Sequence, residues 1–549
     1  MTTATSSRLS RPAPPRPGPP ARAVLTLAGF EGRRLLQSPV FLGALGLALA
    51  LCVAVGGGDA VPVLDRDDVE TALFLTVLAW GTLLATNLAA LRSRRDRTGE
   101  LLAALPTSAG SRTAAQLLAT TAALPAAVAV LAVWGLTRLR DPATVGTPRP
   151  AELAVGLLLV AGGGATGVLV ARWLPTVLAG PAAVVATIVL QLSWGGRQEW
   201  GWLHFVAWDP GVALDPWLDV RPAGWHLLYL AGLVTLAGVL ALARDGRDRP
   251  LPAVAATTAA VVVLAGWAQT APPAAAQVAA VVDHLERPEA FQVCQRHGRV
   301  RYCAYPTYRD WIERWRRPVE GVLASLPAEA GAPELLVRQR SWPTVAGKLH
   351  PQVQLRLDQE RAWPADGAVH PGLDWYLPGN PKVVLTLQQA ELSLAAQAAA
   401  WAVGLPPVAA WPDGPCDTGG QARTVAALWL AGQATPGAGQ ALRARAAEVE
   451  GGGAAALVSP APLDFYDRGP DLPGQFVAEP GSVGRGADVV AAARLLDRPQ
   501  PRVRALLAAG WARLVDLQTP AGALLRAAGV AAPAPATAAA VAGEAPPCP

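Results

Sequence analysis

Residues 1–270 contain long runs with no charged side chain, and no other feature limits the fold so tightly. About 20 apolar residues in a helix cross a bilayer, because lipid leaves no partner for an open backbone N–H or C=O. Seven runs have roughly this character: Val40–Gly57, Thr71–Leu91, Thr113–Thr137, Leu153–Ala171, Leu174–Trp194, Gly224–Ala243 and Leu251–Gln269. A single run of this kind fits a buried core helix. Seven, separated by short charged loops, predict a polytopic membrane domain. Residues 271–549 have no run of that length.

Charge placement predicts the orientation. Positive side chains in short loops favour the cytoplasm. Arg8, Arg11, Arg16, Arg22, Arg33 and Arg34 precede the first run, and Arg92, Arg94, Arg95, Arg97 and Arg112 follow the second. Arg172, Arg244, Arg247 and Arg249 continue the series. The loop after the first run is acidic, with Asp59, Asp65, Asp67, Asp68 and Glu70. An N-terminus in the cytoplasm satisfies this bias, and the Arg138–Arg149 loop fits it least. Six spans place the C-terminal half inside and seven place it outside, so Leu251–Gln269 decides. The net charge of +5 therefore reads as topology and coding bias, not nucleic-acid binding; only Lys348 and Lys382 are lysines among 46 basic residues.

The expected fold class is an α-helical polytopic membrane domain of six or seven transmembrane helices, followed by a mixed α/β soluble domain. The expected domains are a disordered cytoplasmic tail (1–21), the membrane domain (22–270), an extracytoplasmic soluble domain (271–530) and a disordered Ala/Pro-rich tail (531–549). Residues 22–38 have apolar side chains at helical spacing with Arg33 and Arg34 at headgroup level, as in an interfacial amphipathic helix. Glu100–Leu105 predicts a short loop helix ending at Pro106, with Ser111 or Thr113 capping the next helix. Tryptophans 194, 200, 202, 208, 217 and 225 predict a loop at the outer interface. The spans show almost no buried charge; Glu152 and Arg172 lie at span ends, where snorkelling accounts for them.

Three stretches carry a resemblance: FEGRRLLQSPVF (30–41), ELLAALPTSAGSRTAAQLLA (100–119) and WHLLYLAGLVTLAGVLALARDGRDR (225–249). Over residues 22–250 the chain resembles actinobacterial ABC-transporter permeases of the type-2 exporter kind. The resemblance implies an amphipathic helix before the first span and a separate ATPase docking on the loop between spans two and three. Glu100, Leu101, Leu102, Leu105, Pro106 and Arg112 would form the coupling element. It also implies a homo- or heterodimer of permeases in the cell membrane. The sequence has no G-x-x-x-x-G-K-[ST] phosphate loop, so no cofactor is expected on this chain and ATP would act through the partner. A seventh span and the long C-terminal half depart from the family pattern.

In the C-terminal half, strand-like alternation falls at Glu334–Arg338, Gln352–Leu357 and Val383–Leu387. Helical patterns fall near Arg309–Leu326, Leu387–Val403, Gln421–Ala431 and Val503–Leu517. In FQVCQRHGRVRYCAYP (291–306) a type II′ turn at Gly298–Arg299 pairs Cys294 with Cys303 at a non-hydrogen-bonded position, where a disulfide is feasible. Cys416–Cys548 is a second candidate. Tyr302, Tyr305, Tyr308, Trp311 and Trp315 form an aromatic cluster that reads either as core or as a ligand-stacking surface. No zinc-ligand or serine-hydrolase motif is present, so neither metal nor enzymatic activity is expected. Two alternatives stand beside the permease reading: a non-transporting membrane receptor or assembly protein acting through its C-terminal domain, and a membrane protein with a degenerate peptidase-like domain.

Overall fold

The computed structural model describes residues 20–56, 62–97, 107–194, 203–204, 222–245, 250–272, 274–331, 334–339, 368–369, 371, 387–405, 416–451, 482–483 and 486–533. The N-terminal half is helical. Helix α1 (Pro20–Leu36) leads into α2 (Pro39–Gly56) across Gln37 and Ser38, and the two are bent by 58°. Next come α3 (Leu64–Arg95), α4 (Ala109–Ala119), α5 (Leu124–Arg138), α6 (Pro150–Trp173), α7 (Ala179–Trp194), α8 (Ala223–Asp245) and α9 (Pro250–Thr270). Among the described residues five helical stretches are long and apolar enough to cross a membrane, with α4 and α5 counted as one through the turn between them, or six if the bent α1–α2 pair is one span. This marks the chain as a membrane protein.

The expected span at Thr113–Thr137 is present within Ala109–Arg138 but carries an interruption, and the expected span at Leu174–Trp194 is shorter than its run. The run Thr113–Thr137 is not one smooth helix: a 3₁₀ turn at Thr120–Ala123 separates α4 from α5. Pro125, in the first turn of α5, has no N–H to continue the ladder. The run Leu174–Trp194 forms only the 16 residues of α7. At 1.5 Å per residue that is about 24 Å, short of the ~30 Å hydrocarbon core.

Helices α3 and α6 pair closely. Gly163 and Gly167 of α6 lie against the α3 backbone at Ala79 and Leu83, where a Cβ has no room. This four-residue spacing of small side chains is how membrane helices bring backbones together without a hydrophobic driving force. Thr86 Oγ1 donates to Gly164 O at 3.2 Å across the seam.

The C-terminal half begins with α10 (Ala275–Glu286). A hairpin of β1 (Val293–His297) and β2 (Val300–Ala304) follows, and β2 pairs in parallel with β3 (Leu335–Arg338). Gly298 takes φ 58° while Arg299 does not take positive φ, as a type II′ turn requires. Around this sheet lie α11 (Ile312–Ser325), α12 (Leu387–Ala402), α13 (Ala422–Ala434), α14 (Pro436–Glu450), α15 (Gly486–Leu496), α16 (Gln500–Leu514) and α17 (Ala521–Ala528). A short pair, β4 (Cys416–Asp417) with β5 (Ser482–Val483), completes it. The predicted strands at 352–357 and 383–386 lie outside the described residues, while Leu387 opens a helix. The buried core of this half does not stop at its own boundary: Val63, Ala143 and Val145 of the N-terminal half belong to it.

Candidate functional site

Buried charge collects at the two opposite ends of the bundle. At one end α3 begins. Its first turn carries Asp65 and Asp67, where free N–H groups and the helix dipole favour negative charge. Asp67 and Asp68 are fully buried and Asp65 nearly so. Arg138, at the end of α5, reaches Asp67 at 3.3 Å and Glu70 at 3.0 Å and is itself buried. The segment between α5 and α6 supplies backbone donors. Thr147 N donates to Asp65 Oδ1 at 2.9 Å, and Arg149 N donates to Asp68 Oδ2 at 2.7 Å. Gly146, at φ 82°, lets the chain pass over the Asp65 carboxylate where any Cβ would collide. Leu64 N bonds Val145 O at 2.9 Å, so backbone and side chains fix this junction together.

This corrects the expectation of nearly charge-free spans. The acidic residues 65–70 are not an open loop; they form the buried first turns of α3. Glu152 is 6% exposed and does not snorkel. Arg172 is no free headgroup contact either.

At the opposite end, Arg172 Nε lies 3.2 Å from Asp245 Oδ2, and Arg172 NH2 donates to Gln116 Oε1 at 2.8 Å. Thr113 Oγ1 donates to the same Asp245 carboxylate. One carboxylate thus joins the ends of α6 and α8 to Thr113, in the second turn of α4. Trp173 Nε1 donates to Leu240 O at 3.0 Å, and Arg244 sits over its ring. Arg92 reaches Glu31 of α1 at 3.5 Å. The cap of α4 is Ser108, whose Oγ accepts from Ser111 N at 3.0 Å. Ser111 and Thr113, expected as caps, lie inside the helix because it starts at Ala109. Of the expected coupling residues, Arg112 is described, with NH1 donating to Thr107 O at 2.7 Å. Glu100, Leu101, Leu102, Leu105 and Pro106 lie outside the described residues, as does most of the tryptophan-rich loop.

The aromatic cluster is core. Tyr302, Tyr305, Tyr308, Trp311 and Trp315 are each at most 3% exposed, so they offer no stacking surface. Tyr308 meets Trp311 edge-on at 4.8 Å. Burial pushes the Tyr302 phenol well above its ordinary range. Trp311 Nε1 leaves its own half and donates to Ala143 O at 2.9 Å. Arg314 NH2 pairs with Asp141 Oδ1 at 2.8 Å, and Asp141 Oδ1 also accepts from Ala143 N at 2.8 Å. The Cys294–Cys303 disulfide is present, with Cα atoms 4.1 Å apart. Cys548 lies outside the described residues.

Among the described residues, no group of three or more His, Cys, Asp or Glu side chains is placed to hold a metal ion. What the arrangement offers is mechanical: ionic contacts that join helix ends. Its members were hard to foresee. Glu70 and Arg138 are 68 residues apart. The usable signal was four acids within Asp65–Glu70 directly before a charge-free run, with Arg138 closing the next run.

Comparison with known proteins gives no match: no protein-family profile, no curated protein and no solved structure resembles the chain significantly.

Proposed function

We propose that the chain is the membrane-spanning permease subunit of an ABC exporter, driven by a separate ATPase chain, with the C-terminal half as an outer accessory domain. The observation that carries this reading is the construction of the α3–α4 end of the bundle. The loop that would dock an ATPase joins α3 to α4, and Thr113 of α4 is tied through Asp245 to α6 and α8. A push on that loop therefore reaches three helices at once. Helix α1, with Arg34 over the Phe30 ring, lies beside the same end and pairs with it through Glu31.

The same end holds Arg92, Arg94, Arg95, Arg112, Arg172 and Arg244, which favours the cytoplasmic side. The C-terminal half meets the other end, at Asp141 and Ala143, and would lie outside, which requires the short α7 to cross as a seventh span. A disulfide between Cys294 and Cys303 suits that compartment. By the family resemblance the subunit would work as one of two permease chains.

Affinity purification of the full chain from its native membrane tests this reading. An ATP-hydrolysing partner should co-purify, and Leu101→Asp with Leu102→Asp should release it while the chain stays in the membrane. Purification without any ATPase, or a partner that ignores both substitutions, overturns it. Loss of ligand binding without any transport, after removal of residues 281–549, would favour the receptor alternative.

A further inference from the structure

The segment from Arg138 to Arg149 is gripped from two sides. On the bundle side, Asp65 and Asp68 accept from Thr147 N and Arg149 N, and Arg138 holds Asp67 and Glu70. On the other side, Trp311 donates to Ala143 O and Arg314 pairs with Asp141. Val63, Ala143 and Val145 fill out one core with the aromatic cluster. Both faces of a short connection are thus committed, and it has little slack to absorb motion.

Helix α6 starts at Pro150, immediately after this segment. It runs 24 residues against α3 with no space at Gly163 for sliding apart by a side chain, and ends at the Arg172–Asp245–Gln116 contacts. We propose that residues 138–149 and α6 form a mechanical link by which the C-terminal half and the opposite end of the bundle bias each other. A shift of α11 moves Asp141 and Ala143. That movement withdraws the Thr147 and Arg149 donors from the α3 carboxylates, and α6 carries the change to Asp245. The link requires neither an ATPase nor any particular cargo, so its test is separate from that of the permease reading.

Hydrogen exchange of the full-length protein in lipid nanodiscs provides the test. Trp311→Phe keeps the ring and removes the donor to Ala143; Arg314→Gln removes the pair to Asp141. Each should raise exchange by about tenfold in residues 62–70 and 139–149, and also change it in 113–117 at the far end. Coupling between sites is reciprocal. Asp245→Asn should therefore alter exchange in residues 306–316. Changes confined to residues 300–322, no change at all, or transmission in one direction only would each overturn the link. Should Trp311→Phe fail to fold, Arg314→Gln and Asp245→Asn decide between them.

Discussion

Tyr302 buries a hydroxyl that finds no hydrogen-bond partner among the described residues. Such a group costs about 1–3 kcal/mol, so Tyr302→Phe should be at least as stable as the natural chain, by up to about 1 kcal/mol. Thermal unfolding at neutral pH measures this. The raised phenol has a second consequence. Its neutral form is favoured in the folded state. The stability it contributes is complete below the ordinary tyrosine value near 10 and falls as pH rises above that value. Alkaline destabilisation above about pH 10 should therefore be weaker in Tyr302→Phe. Arg138 poses the opposite case, since its guanidinium is buried between two carboxylates. Arg138→Gln removes the guanidinium from the buried Asp67 and the partly exposed Glu70 and should destabilise the protein by about 1–3 kcal/mol, read from thermal unfolding. The disulfide contrasts again, because Cys294 is exposed and Cys303 fully buried. Attack on the accessible sulfur would expel the Cys303 thiolate into an apolar site, where a charge is disfavoured. Dithiothreitol should reduce the bond slowly in the folded protein and quickly once it is unfolded; equal rates would disprove the protection.

Elements built on apolar continuity were legible in the sequence, because the bilayer requirement acts on consecutive residues. Helices α3, α6, α8 and α9 fall almost where their runs do. In the C-terminal half, α11, α12, α13 and α16 followed their helical periodicity, and the Cys294–Cys303 register followed from the turn at Gly298. Apolar continuity does not register the interruption at Thr120–Ala123, which Pro125 marks, nor that α7 begins only at Ala179, beyond Pro175. Helix α14 is Ala-rich, so its periodicity has little contrast, and α17 has only eight residues in which to show one. The ionic contacts were illegible for a different reason. They join residues brought together only by helix packing, and a charge near the end of a run reads equally well as a headgroup contact. The α3–α6 seam belongs to this scale too. Gly163→Val would place a side chain where the Ala79 backbone lies. Helix separation at that point should lower the unfolding temperature of the whole bundle, whereas the same substitution at Gly135, which has open space, should not.

At the scale of the molecule, composition suggested two independent halves, one for lipid and one for water. The core contradicts that separation. Val63, Ala143 and Val145 are apolar side chains at the end of a membrane bundle, and they share one buried core with the C-terminal half. Burying such side chains contributes roughly 1.5–3 kcal/mol for each large one. The cover also shields the carbonyl of Ala143 from competing water. Removing it exposes an apolar patch beside buried carboxylates, and solvent then competes for Thr147 and Arg149 as donors. A chain ending at Thr270 should still insert, because its apolar helices are intact, but its 138–149 segment should open. Trypsin reports this directly, since Arg138 and Arg140 both lie there while Arg138 is buried in the full chain. Cleavage after Arg138 should be much faster in the truncated protein than in the full-length one under the same lipid conditions. Equal rates would mean that the bundle holds the segment unaided, and that the shared core merely rests on the bundle without stabilising it.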